Sequence, residues 1–93
     1  RDGVVVAILG IRAATGDVVS GPDLVSRGLV FQEASAALLE EARAAVVGAL
    51  GEISPESRSD LPEVQETVRR ALKRFFDRRL DRRPMILPFV LEM

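Results

Sequence analysis

Eight cations fall within the fifteen residues from Arg69 to Arg83, the densest run of one chemistry in the chain. Guanidinium groups bind phosphate oxygens in pairs, so Arg69, Arg70, Lys73, Arg74 and Arg78 make a candidate RNA-contacting surface. The same residues suit a wetted helix face whose charges complement the C-terminal end of the helix dipole and pair with Glu66, Asp77 or Asp81. The formal net charge is −1, and Tyr and Trp are absent, so base stacking would fall to four Phe or to Arg. The wetted face is the preferred reading, with RNA contact as the alternative.

Ser20-Gly21-Pro22-Asp23 through Ser26-Arg27-Gly28 could build an anion nest or present a catalytic acid. No phosphate-loop or dinucleotide spacing is met, because no Lys-Ser/Thr ending follows and no helix opens there. A strand bend, with Asp23 capping turn amides and Arg27 pairing with it or with a neighbouring domain, explains the residues better. Glu40 and Glu41 are adjacent, and neighbours on a helix do not face each other, so a paired acid and base or a metal site is not expected. The chain has no His and no Cys. That removes the commonest general base, the commonest metal ligand and any disulfide framework. Met85 and the four Phe sit at core spacings and need no cofactor.

The elements that hold these groups begin with Val4-Val5-Val6-Ala7-Ile8-Leu9-Gly10-Ile11, nearly all apolar and rich in β-branched residues. A strand with one wet face would alternate apolar with polar, so this one is expected to be covered on both faces. Val4, Val6 and Ile8 point one way; Val5, Ala7, Leu9 and Ile11 point the other. A hairpin loop over Ala13–Asp17 leads to a second strand from Val18, bent at Gly21-Pro22-Asp23 and resuming through Leu24-Val25 and Leu29-Val30-Phe31. Ser35 is a plausible N-cap for a helix from about Ala36 to Leu50, with Leu38, Leu39, Ala42, Ala45, Val46, Ala49 and Leu50 as its apolar stripe. Glu40, Glu41, Arg43 and Ala44 take its wet side.

Gly51 suits the position just past that helix, Ile53 folds back, and Ser54 to Ser59 form a polar linker. Asp60-Leu61-Pro62-Glu63 reads as an N-cap acid, a first-turn Pro and a capping box. The helix it opens buries Leu61, Val64, Val68, Ala71, Leu72, Phe75 and Phe76 and ends near Leu80. Met85 to Glu92 is a final strand in which Pro88 demands an edge or a bulge. Met85, Leu87, Phe89 and Leu91 share one face, and Ile86 and Val90 make the other apolar too.

Ninety-three residues make one domain with a modest core. No apolar run approaches the ~20 residues of a membrane span. The opening Arg1-Asp2-Gly3 has neither an initiator Met nor a signal-peptide pattern, so the chain is expected to be a segment of a longer one. Twelve arginines to one lysine reflect GC-rich coding before any functional demand.

Three strings carry a family resemblance: Val19-Ser20-Gly21-Pro22-Asp23-Leu24-Val25-Ser26-Arg27-Gly28-Leu29-Val30-Phe31, Leu38-Leu39-Glu40-Glu41-Ala42, and Arg82-Arg83-Pro84-Met85-Ile86-Leu87-Pro88. Together they resemble the C-terminal domain of bacterial ribonuclease J, with Leu29 in place of an aromatic and Met93 in place of Val as mild departures. The resemblance implies a cytoplasmic parent enzyme with metallo-β-lactamase and β-CASP domains upstream. Such a parent would process and degrade RNA by 5′-to-3′ exonucleolytic and endonucleolytic cleavage, using zinc held by His and Asp. None of that machinery can lie in a chain without His. The resemblance also implies a last domain that supports oligomerisation and full activity.

The expected fold is an α/β two-layer sandwich in the order β-β-α-α-β, a three-stranded sheet covered on one face by two helices. The bare face is expected to meet another copy or the parent's catalytic core, through Val5, Ala7, Leu9, Ile86 and Val90 or through their opposite-facing neighbours. The rival reading is an RNA-guiding surface on the basic helix; a stand-alone hydrolase ranks third. Neither a cofactor in this chain nor a membrane partner is expected.

Overall fold

The computed structural model describes residues 2–29 and 36–93. Its first element, β1 (Val4–Ile11), follows from the β-branched run, and it lies in the middle of a three-stranded sheet. β2 (Val18–Arg27) runs antiparallel on one side and β3 (Met85–Glu92) parallel on the other, giving the order β2-β1-β3. A central strand is flanked on both edges, which is why its residues are the least polar.

The described residues also form three helices: α1 (Ala36–Glu52), the single turn α2 (Pro55–Arg58) and α3 (Leu61–Leu80). The one-sided α/β arrangement expected from the sequence is observed, with α2 as an addition. The buried row of α1 is Leu38, Ala42, Val46 and Leu50; that of α3 is Val64, Val68, Leu72 and Phe76. Both rows step by four residues, so each forms one continuous ridge. They close over Val5, Ala7, Leu9, Ile11 and Ile86 to form a single core. Phe76 is completely enclosed, and burying such a ring stabilises the fold by about 1.5–3 kcal/mol. Phe75 meets it edge to face, with ring centroids 5.1 Å apart.

Local details depart from expectation in instructive ways. α1 runs through Gly51 to Glu52 rather than stopping at Leu50. The guanidinium of Arg58 explains the extension: it donates to the carbonyls of Leu50 (3.2 Å) and Ile53 (2.9 Å), groups that a helix end otherwise leaves without partners. It also donates to Gly16 O at 3.1 Å, which fastens the hairpin loop to the helical layer. The stretch expected as a plain linker is thus a helical turn, capped by Ser54, whose Oγ accepts from the Ser57 amide. Only half of the expected capping box forms. Asp60 accepts from the Glu63 amide at 3.3 Å, while its own amide donates to Ser57 O. Asp81 ends α3 in the left-handed conformation, φ 54°.

The bend at Gly21-Pro22 lies within β2, which continues past it, and the pairing with β1 shifts register between Ile8 and Ile11. Gly21 has φ +76°, and a Cβ there would come within 2.5 Å of Ile8 O, so this close approach of two backbones requires glycine. β2 ends at Arg27, so the strand does not resume at Leu29; Val30, Phe31 and the proposed cap Ser35 lie outside the described residues. At the start of β3 and just past its end, the amides of Met85 and Met93 donate to the carbonyls of Gly3 and Ile11. The two-residue period then turns the nitrogen of Pro88 away from β1, to the free border, where a missing donor costs nothing.

Candidate docking surfaces

Because the strand period is two, the register fixes which side chains share a face. Val5, Ala7 and Leu9 lie under the helices, at most 1% exposed, with Ile86 and Val90 beside them in the parallel register. Of the five residues first named for a docking contact, Val5, Ala7, Leu9 and Ile86 are therefore core, and Val90 is partly buried against it. The outer face belongs to their opposite-facing neighbours, in cross-strand rows Val25–Val6–Leu87 and Asp23–Ile8–Phe89, with Val4 beside Met85 and Gly10 beside Leu91. Met93 closes the end of this face, since a Cβ on Gly10 would run into its Sδ.

This outer face is apolar and open. Phe89 is 53% exposed, Leu91 56% and Met85 61%. Three strands about 4.8 Å apart and about 26 Å long present roughly 370 Å² in projection, within the size range of functional patches on single proteins. Among the described strand residues of this face, charge appears only toward the β2 border, as Asp23 and Arg27. They do not pair with each other; Arg27 donates instead to the neighbouring Ser26 carbonyl at 3.0 Å.

The second surface lies on the far side of the molecule. A groove of about 550 Å³ runs between α1 and α3. It is lined by Ala45, Ala49 and Ile53 on one side and by Thr67, Ala71 and Phe75 on the other, a mostly apolar and alanine-rich floor. Arg70, Arg74, Arg78 and Arg79 rim it. Two of these cations are engaged, Arg70 with Glu66 at 3.4 Å and Arg79 with Glu41 at 3.1 Å. Arg74 and Arg78 are exposed and make no hydrogen bond or ion pair among the described residues.

The rest of the basic run is partly absorbed by the fold. Arg69 donates to Glu66 at 3.0 Å, and that hydrogen bond holds the Glu66 carboxyl below its usual range while raising the Arg69 guanidinium. Arg83 pairs with Asp77 at 3.1 Å. Glu40 and Glu41 turn to different arginines, Arg43 and Arg79. Arg43, assigned from sequence to the wet side of α1, also reaches Pro22 O at 3.2 Å and ties that helix to the bend of β2. The zinc implied for a parent enzyme has no ligand set here: the chain has neither His nor Cys, and no three carboxylates converge among the described residues.

Comparison with known proteins gives one consistent result. The family described as the ribonuclease J C-terminal domain matches residues 1–93. Ribonuclease J2 of Bacillus subtilis is 27% identical over 93 residues, covering 100% of this chain and 17% of that protein. Ribonuclease J 1 of Streptococcus pyogenes is 29% identical over 91 residues, covering 98% of this chain and 16% of that protein. Ribonuclease J 2 of Staphylococcus epidermidis is 29% identical over 93 residues, again with 17% of its length covered. The chain thus spans about a sixth of the relatives it matches.

Proposed function

The chain belongs to the ribonuclease J C-terminal domain family, and we propose that it is the docking and assembly domain of such an enzyme, a single unit over residues 1–93. In this reading cleavage of RNA, and the zinc it uses, belong to the rest of a cytoplasmic parent. The present domain brings parent chains together by burying its outer sheet face against a second copy.

One observation carries the reading: Ile8, Leu87, Phe89, Leu91 and Met85 share an apolar sheet face that no helix covers among the described residues. Asp23 and Arg27 at its border suit a two-fold contact, in which the acid of one copy meets the arginine of the other. The size of the face sets the strength. At roughly 370 Å² it falls short of the ~800 Å² per partner of a stable complex, so the domain alone should pair weakly and the parent should supply the remaining contact.

Sedimentation of a full-length ribonuclease J carrying this sequence tests the proposal. Ile8→Lys with Phe89→Glu is expected to shift the protein to a smaller species and to lower its RNA-degrading activity. An unchanged sedimentation profile would remove the assembly role.

A further inference from the structure

We propose that the groove between α1 and α3 is a docking site for an acidic amphipathic helix of a partner protein, and this site is independent of the outer sheet face. Two features of the groove select that occupant. The floor is alanine-rich, which leaves room for the larger apolar side chains of an incoming helix. The rim offers Arg70, Arg74 and Arg78 four residues apart, so their heads form a row with steps of about 6 Å along α3. Carboxylates spaced four residues apart on a partner helix have the same step. Arg74 and Arg78 are the rim cations without an acid partner among the described residues, so an external carboxylate would not have to displace one.

RNA is the rival occupant, and the floor disfavours it. A strand held by phosphate contacts wants exposed aromatic faces for its bases, and Phe75 is the sole aromatic residue in the lining, already half-buried against Phe76. The domain around the groove also carries Glu41, Glu66 and Asp77, and its net charge is −1.

The test uses the 93-residue chain and a synthetic helical peptide with glutamate at every fourth position and leucine on the adjoining stripe. A scrambled peptide of identical composition and a single-stranded oligouridylate serve as the comparison ligands. Fluorescence anisotropy of the labelled ligands should show salt-dependent binding of the amphipathic peptide. Both Arg74→Glu/Arg78→Glu and Ala49→Gln, which blocks the floor without touching charge, should weaken it by about tenfold or more. Thermal melts of both variants check that the fold survives, and charge-neutral Arg74→Gln/Arg78→Gln provides a milder version should the reversal unfold the chain. Equal binding of the scrambled peptide, or tighter binding of oligouridylate that ignores Ala49→Gln, would overturn the proposal, the latter in favour of RNA.

Discussion

The two faces of one sheet are both largely apolar and differ greatly in how far they are covered. The inner row Val5, Ala7, Leu9, Ile11 is fully buried, while Ile8 and Phe89 on the outer face remain 38% and 53% exposed. Apolar residues on a strand therefore mark a surface that seeks cover. They do not say whether the cover comes from the same chain. The α1 and α3 ridges can shield one face only, so stability resides on the inner side and any contact made through the sheet is left to the outer one.

The largest effect that should separate the faces comes from a matched pair of truncations. Phe76→Ala removes an enclosed ring and is expected to cost about 3–5 kcal/mol in chemical denaturation, whereas Phe89→Ala should change the stability of the lone domain by less than about 1 kcal/mol. Similar losses at both positions would mean that the faces are not distinct. Gly21→Ala sharpens the comparison at the border of the sheet. A side chain there must push against the Ile8 carbonyl from a left-handed backbone, and a drop of at least about 1–3 kcal/mol is expected in the same measurement. Arg58→Ala comes next, at about 1.5–3 kcal/mol, since its three carbonyl contacts are charge-assisted and partly buried. Arg58→Lys should recover only part of the loss, because an ammonium cannot reproduce the fork.

The smallest effect is electrostatic. Hydrogen bonding to Arg69 depresses the folded-state pKa of Glu66, so its contribution is present above the ordinary carboxylate pKa and is lost as pH falls through the depressed value. Glu66→Gln should accordingly lower the melting temperature slightly near neutral pH, and the difference should close in acid. A gap that widened on acidification would contradict that assignment.

Period and capping made most of the elements legible. Asp60 and Pro62 marked the start of α3, and the apolar stripes located both long helices but were too wide, since Leu39, Ala45, Ala49, Leu61, Ala71 and Phe75 are only partly buried beside the four-step rows. The identity of the covered sheet face was not legible, because Val4, Val6 and Ile8 are as apolar as Val5, Ala7 and Leu9. The signal that would have resolved it sits on β2, where Asp23 and Arg27 mark the wet side. It carries over to β1 only through a register that the sequence leaves open. Arg58 was hidden for a related reason: its three carbonyls come from a loop 42 residues away and from the end of α1. The split of the basic run into engaged and unengaged cations likewise needed Glu41, which sits 38 residues before Arg79.

Both border strands carry a proline, Pro22 in β2 and Pro88 in β3, and the nitrogen of Pro88 points away from its neighbour. A further strand cannot zip onto that margin in regular fashion. Regular edge-to-edge growth of the sheet along β3 is thus disfavoured, so a ribbon of such domains would break at every copy.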